Sequence, residues 1–96
     1  MYLNDLLKAK REDILRLTEA YGASNVRVFG SVARGEADEK SDIDLLVKMK
    51  DDYSLFDLGG LWADMQDLLG CHVDVVPETG LRDRIKARVL RDAVPL

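Results

Sequence analysis

The sequence predicts a small α/β (α+β) domain: a sheet of about three strands with helices packed on one face. Two observations predict it. Apolar residues recur in places at steps of three and four and in others at steps of two, so helical and strand segments interleave along the chain. Two of the strand segments also keep their apolar residues on one parity and their acids on the other, the pattern of a sheet with one covered and one open face. The 96 residues are the length of one domain with one core, residues 1–96, with no room for a separate substrate-binding domain.

Leu3, Leu6, Leu7, Ile14, Leu17 and Tyr21 hold a helical period over residues 3–21, and Gly22 is a fitting stop. Residues 25–29 alternate and are β-branched, so they read as a strand ending at Gly30-Ser31. A short helical turn fits residues 31–34, and Gly35 to Ser41 is polar loop. Residues 42–49 form the second strand candidate. Ser54, with Asp57 three positions on, resembles a capping box. Leu58, Leu61, Trp62, Met65, Leu68 and Leu69 then carry a helix to residue 69, with Trp62 and Met65 expected in the core. Gly59-Gly60 weakens its first turn by about 1 kcal/mol each relative to Ala. Gly70 ends it. Residues 71–76 are a third strand stopped by Pro77, and Leu81, Ile85 and Val89 mark a last helix over residues 81–92.

Charge is unevenly placed. Residues 1–50 balance nine basic against nine acidic side chains, residues 51–80 carry seven acids and no Lys or Arg, and the last helix carries Arg82, Arg84, Lys86, Arg88 and Arg91. There is no broad basic surface of the kind that grips a nucleic acid backbone, so no direct nucleic acid partner is expected. No apolar run is long enough to span a bilayer. The charged, amphipathic N-terminus lacks the features of a signal peptide. The single cysteine, Cys71, excludes an internal disulfide and a cysteine-rich zinc site, and a cytoplasmic location fits. With one histidine, His72, a metal site here would rest on carboxylates and favour Mg²⁺ or Mn²⁺.

The candidate chemistry lies at the strand ends. By parity Asp42 and Asp44 share a face, opposite Ile43, Leu45 and Val47. His72, Asp74 and Val76 share a face opposite Cys71, Val73 and Val75. If the apolar faces both meet the helices and the strands are neighbours, Asp42, Asp44 and Asp74 stand together on the open face within about 5–8 Å. Two like charges at 4 Å cost about 4 kcal/mol at an effective dielectric of 20, so such a cluster needs a proton or a cation. The residues alone leave two readings, a metal site or acids decorating a solvated face. Asp is a poor strand residue, which makes its recurrence at i, i+2 informative. A strand running into Gly30-Ser31 and a helical turn aims backbone N–H groups outward, as a phosphate site does, though the same pair often makes only a turn. The P-loop is excluded, because Glu36 stands where its Lys belongs, and an EF-hand fails because Lys40 takes a ligand position.

Gly30-Ser31, ten residues, then Asp42-Ile43-Asp44 resembles the signature of the DNA polymerase β-like nucleotidyltransferase superfamily. The string GSVARGEADEKSDIDLLV, the leading helix, the HVDVV strand and the ending RIKARVLRDAVPL resemble its single-domain branch, the MNT (minimal nucleotidyltransferase) antitoxins of HEPN/MNT toxin–antitoxin pairs. The resemblance spans the chain. It implies a palm-like fold on a small mixed sheet, ATP as substrate, and two Mg²⁺ ions, with Mn²⁺ an alternative. It implies that Gly30 and Ser31 hold the triphosphate, that Asp42 and Asp44 bind both metals, and that Asp74 is the third carboxylate and the acceptor of a proton. Arg34 either contacts phosphate or fixes the loop through Glu36 or Asp38; Lys40 reads as a solvated loop residue. The implied activity is transfer of AMP, with release of pyrophosphate, to a tyrosine hydroxyl of a HEPN ribonuclease toxin, in a hetero-oligomer with that toxin. Two alternatives stand beside it: an antitoxin that acts only by binding, and a small-molecule transferase of the aminoglycoside-modifying kind.

Overall fold

The computed structural model describes the backbone of residues 2–36 and 42–96, and side chains from Asp5 onward within those ranges. The elements are α1 (Tyr2–Ala9), α2 (Arg11–Ala20), β1 (Ala23–Phe29), α3 (Gly30–Ala33), β2 (Ile43–Met49), α4 (Leu55–Leu69), β3 (Val73–Pro77), a 3₁₀ turn over Glu78–Gly80, α5 (Asp83–Asp92) and β4 (Val94–Pro95). The mixed sheet has the order β3-β2-β1-β4. β1 runs antiparallel to both its neighbours, and β2 and β3 are parallel. A parallel pair needs a long crossover, and α4 supplies it.

The expected leading helix is two helices. At Lys10 the backbone flattens (φ −102°, ψ 7°), yet Lys10 N–H still donates to Leu6 O (3.0 Å) and Ile14 N–H to Lys10 O (2.9 Å), so the break is a kink within a continuous ladder. The Leu3 side chain lies outside the described residues. β1 begins two residues earlier than the alternation suggested. Its register shifts between Ser24 and Arg27, where Asn25 takes φ +50°: a bulge at a residue that tolerates the left-handed region. The fourth strand, Val94–Pro95, is an addition to the expected three. Two residues carry no periodicity, and Pro is confined to an edge such as this.

Ile14, Leu61 and Met65 from the helices meet Ile43, Leu45, Val47 and Val73 from the sheet, all fully buried. Burying each such side chain contributes about 1.5–3 kcal/mol. The helix α4 starts as its residues dictate: Ser54 Oγ accepts from Asp57 N–H (3.1 Å) and Asp57 accepts from Ser54 N–H (3.0 Å), while Gly70 closes it at φ +67°. Trp62 departs from expectation. It is 41% exposed, and its indole N–H donates to the Val73 carbonyl. An indole needs a partner for its N–H, and the carbonyl of edge strand β3 provides one. The acid face is also less open than parity implied. Leu46, on the face of Asp44, is fully buried. Arg27 lies beside it in register, and the Arg27–Glu78 ion pair reaches from β1 past β2 to the end of β3. In α5 no residue is buried, so the Leu81, Ile85, Val89 stripe makes a shallow contact. No helix among the described residues is long and apolar enough to cross a membrane.

Candidate active site

The parallel pairing of β2 and β3 sets Asp44 directly opposite Asp74, and on its other side β1 sets Phe29 opposite Asp44. Adjacent strands lie about 4.8 Å apart, and in-register side chains share a face. The parity argument needed the two strands to be neighbours, and they are. Asp42 precedes β2 and His72 precedes β3 at the same end of the sheet. Asp42, His72 and Asp74 each offer one donor atom within 4.8 Å of the others; this set does not include Asp44, whose carboxylate lies against Gly30, so of the three expected metal-binding acids it joins Asp42 and Asp74 and puts His72 beside them. His72 Nδ1 lies 3.2 Å from Asp42 Oδ1.

Gly30 stands at the junction of β1 and α3. Its φ of +75° is in the region that glycine adopts freely. A Cβ at this position would collide with Asp44 Oδ2 and lie 3.1 Å from Asp44 Cγ. Glycine therefore serves twice here, for its backbone angle and for the room that lets the Asp44 carboxylate lie over it. Val32, buried, anchors the turn that carries the half-buried Ser31. Gly30 and Ser31 of α3, Asp42 just before β2, Asp44 of β2 and Asp74 of β3 are thus drawn to one end of the sheet.

Arg34 is exposed, and its Nε donates to Glu36 Oε2 (3.0 Å) while Nη1 lies 3.5 Å from Asp92 Oδ2. It ties the turn to α5, a connection that nothing in the sequence signalled. Asp38 and Lys40 lie outside the described residues. Cys71 packs against the core, and burial pushes its thiol up, with a smaller push from Asp42.

The electrostatics follow from the crowding. Burial raises the Asp44 carboxyl above its ordinary value, the neighbouring Asp74 and Asp42 carboxylates raise it further, and Arg34 and His72 act the other way. Among the described residues no side chain donates a hydrogen bond to Asp44 or Asp74. Asp42, Asp74 and His72 gathered together, with Asp44 in register beside Asp74 and no basic side chain bonded to either of that pair, suit a divalent cation. The sequence points to a metal site of carboxylates alone, yet His72 joins the donors; its shared parity with Asp74 is the signal for it. Asp42 and His72 are exposed, and Asp44 and Asp74 are half-buried. A cavity of about 280 Å³ sits on the covered face, with Val28, Val32 and Leu96 in its lining.

Comparison with known proteins bears on this arrangement. The nucleotidyltransferase domain family matches residues 8–96. Protein adenylyltransferase MntA of Thermococcus cleftensis is 37% identical over 92 residues, covering 96% of this chain and 90% of that protein. A Methanocaldococcus jannaschii protein named as a protein adenylyltransferase is 36% identical over 84 residues, covering 88% and 90%. A solved structure described as a minimal nucleotidyltransferase is 50% identical, with TM-score 0.87, covering 96% of this chain and 94% of that one. A second, a toxin–antitoxin with AMP-PNP, shares the fold at TM-score 0.76 and 21% identity, covering 88% and 69%. The chain belongs to the nucleotidyltransferase domain family, as a minimal nucleotidyltransferase and a transferase enzyme.

Proposed function

We propose that the chain is an antitoxin-type protein adenylyltransferase, which moves AMP from ATP to a tyrosine hydroxyl of a partner HEPN ribonuclease toxin in the cytoplasm. The observation that carries this reading is the in-register pair Asp44 and Asp74, with Asp42 and the Gly30-Ser31 turn at the same end of the sheet. The names of the relatives and the toxin–antitoxin likeness support the class of acceptor.

In this reading Asp42, Asp44 and Asp74 would hold two Mg²⁺ ions, with Mn²⁺ an alternative. Bound there, the cations would stabilise charge on the attacking and leaving oxygens of an in-line displacement. The chain's own groups do the rest. Gly30 and Ser31 receive the triphosphate through backbone N–H groups and the Ser31 hydroxyl. Arg34, held by Glu36 and Asp92, completes the nucleotide side. The acceptor hydroxyl oxygen bonds to the α-phosphorus, and its proton passes to the Asp74 carboxylate. The bond from the α-phosphorus to the bridging oxygen breaks, and pyrophosphate leaves with that electron pair. An exposed site suits an acceptor that is itself a protein, because the docked partner can exclude the water that this face does not.

The test is label transfer from ATP carrying a radioactive α-phosphate. The chain, Mg²⁺ and the product of the neighbouring gene are mixed, with Asp42→Asn/Asp44→Asn as control. Label on the partner with the wild type alone is the expected result. Label with the double variant would show that the reacting groups lie elsewhere. A stable complex with no label would favour the second reading, an antitoxin that neutralises by binding, for which the segregated charge of residues 51–80 and 82–91 provides docking surfaces.

A further inference from the structure

The first turn of α4 presents two adjacent large apolar side chains to solvent. Leu55 is 82% exposed and Phe56 is 90% exposed. The turn that carries them is fixed, since the reciprocal Ser54–Asp57 bonds hold the helix start and Lys50 Nζ lies 3.6 Å from Asp57 Oδ2. These side chains are therefore held out by an ordered backbone.

Glycines 59 and 60 separate two kinds of reason for a missing side chain. At Gly60 a Cβ would come within 2.7 Å of Tyr21 Cε1, so packing inside the chain accounts for it. At Gly59 a Cβ would meet nothing within 4 Å. Glycine inside a helix is unfavourable relative to alanine, and nothing in the folded chain asks for one at this position. Gly59 lies three residues beyond Phe56 and four beyond Leu55, on the same side of the helix. Bare backbone beside two projecting apolar groups is what a second body would need to approach closely.

Charge and position identify that body. Asp51 and Asp52 flank the patch, exposed, and no Lys or Arg follows them in residues 51–80. The patch follows the C-terminal end of β2, whereas Asp42 and Asp44 stand at its N-terminal end. Seven strand residues separate them by about 20 Å. A group that touches both is a macromolecule, not a small substrate.

We propose that Leu55, Phe56 and Gly59 form the surface by which the chain docks on the protein it modifies, and that this protein offers an apolar pocket bordered by Lys or Arg. The inference rests on the protein-acceptor reading above and adds to it the place of contact. Phe56 fills the pocket, Leu55 covers its border, and Gly59 lets the pocket wall close on the helix. Asp51 and Asp52 meet the basic border, so binding weakens as salt rises.

The test measures binding of the purified HEPN partner, with Trp62, the one tryptophan and seven residues beyond Leu55, as fluorescence reporter. Phe56→Glu should weaken binding at least about 30-fold, while binding of a fluorescent ATP analogue stays at the wild-type level. Gly59→Ala should raise the melting temperature of the free chain by about 4–8 °C and still weaken the complex. Gly60→Ala, pressed against Tyr21, should lower the melting temperature. Wild-type binding with Phe56→Glu equal to it overturns the docking surface and leaves the function reading intact. No binding by the wild type overturns both. A wild-type homodimer that Phe56→Glu dissolves, with partner binding unchanged, overturns the proposal in favour of self-association through this patch.

Discussion

The two ends of strand β2 are held by opposite means. At its C-terminal end Lys50 and Asp57 are paired within the chain. Lys50 lays its stem over Gly22, points its ammonium at Asp57, and donates its backbone N–H to Gly22 O at 2.9 Å. Asp57 in turn caps α4, which lowers its pKa chiefly through the Ser54 backbone N–H and further through Lys50. At the N-terminal end Asp42, Asp44 and Asp74 face one another, and the Asp44 pKa moves up instead of down. The same residue type, at Asp44 on β2 and Asp57 in the first turn of α4, opposes the structure at one end and serves it at the other. The difference teaches where the chain is complete in itself and where it waits for a ligand: carboxylates that meet donors stabilise the fold, and carboxylates gathered without donors are kept for something that arrives with charge.

Substitutions at the acidic end should therefore cost activity or cation binding, whereas those at the capped end should cost stability alone. The largest effect expected is on transfer: Asp42→Asn/Asp44→Asn takes AMP transfer below detection in the labelling assay, with the fold kept by circular dichroism. A double variant that still labels its partner would erase the distinction between the ends. Gly30→Ala is next. A left-handed angle costs a residue with a Cβ about 1–2 kcal/mol, and the added carbon also displaces the Asp44 carboxylate. Chemical denaturation should show the stability loss, and cation-induced stabilisation should fall with it. At the other end Ser54→Ala removes a cap bond and should cost about 1 kcal/mol, a fall in melting temperature of about 4–8 °C, while nucleotide binding is unchanged. A Ser54→Ala protein as stable as the wild type would mean that the capped end is not held as described.

Most of this contrast was legible in the residues, for a physical reason. Strand parity is rigid, so Asp42, Asp44, His72 and Asp74 fall on one face by arithmetic once β2 and β3 are neighbours, and the capping box at Ser54 is a local motif whose two bonds form within one turn. What local pattern cannot show is a contact made by distant segments. The Arg34–Asp92 pair joins residues 58 positions apart, and Arg27–Glu78 roofs Leu46 across three strands. Neither has a sequence period. Trp62 was expected in the core because helical spacing placed it near the apolar stripe, but α4 packs at the sheet edge, which leaves that flank outside and gives the indole a strand carbonyl to bond. The kink at Lys10 and the two-residue strand β4 are likewise settled by the packing of the whole. The resemblance to nucleotidyltransferases came from the Gly-Ser and Asp-x-Asp spacing, which survives any such rearrangement.

The finest test compares the ends by pH. Asp44 has a pKa raised above its ordinary 3.8 by burial and by two like charges. A folded state with the higher pKa holds the proton more tightly than the unfolded chain does, so the stability linked to this group is fully present below the unfolded value and is lost as pH rises through the folded one. At neutral pH the ionised Asp44 thus lowers the stability of the fold. Asp44→Asn, which keeps the shape and removes the charge, should melt higher than the wild type at neutral pH. The gap should narrow as pH falls into the acid range, where the wild-type carboxyl takes up its proton. Mg²⁺ or Mn²⁺ at neutral pH should close the gap from the other side, by stabilising the wild type and not the variant. A gap that is constant across pH and indifferent to the cation would mean that Asp44 carries no uncompensated charge, and the two ends of β2 would then be held alike.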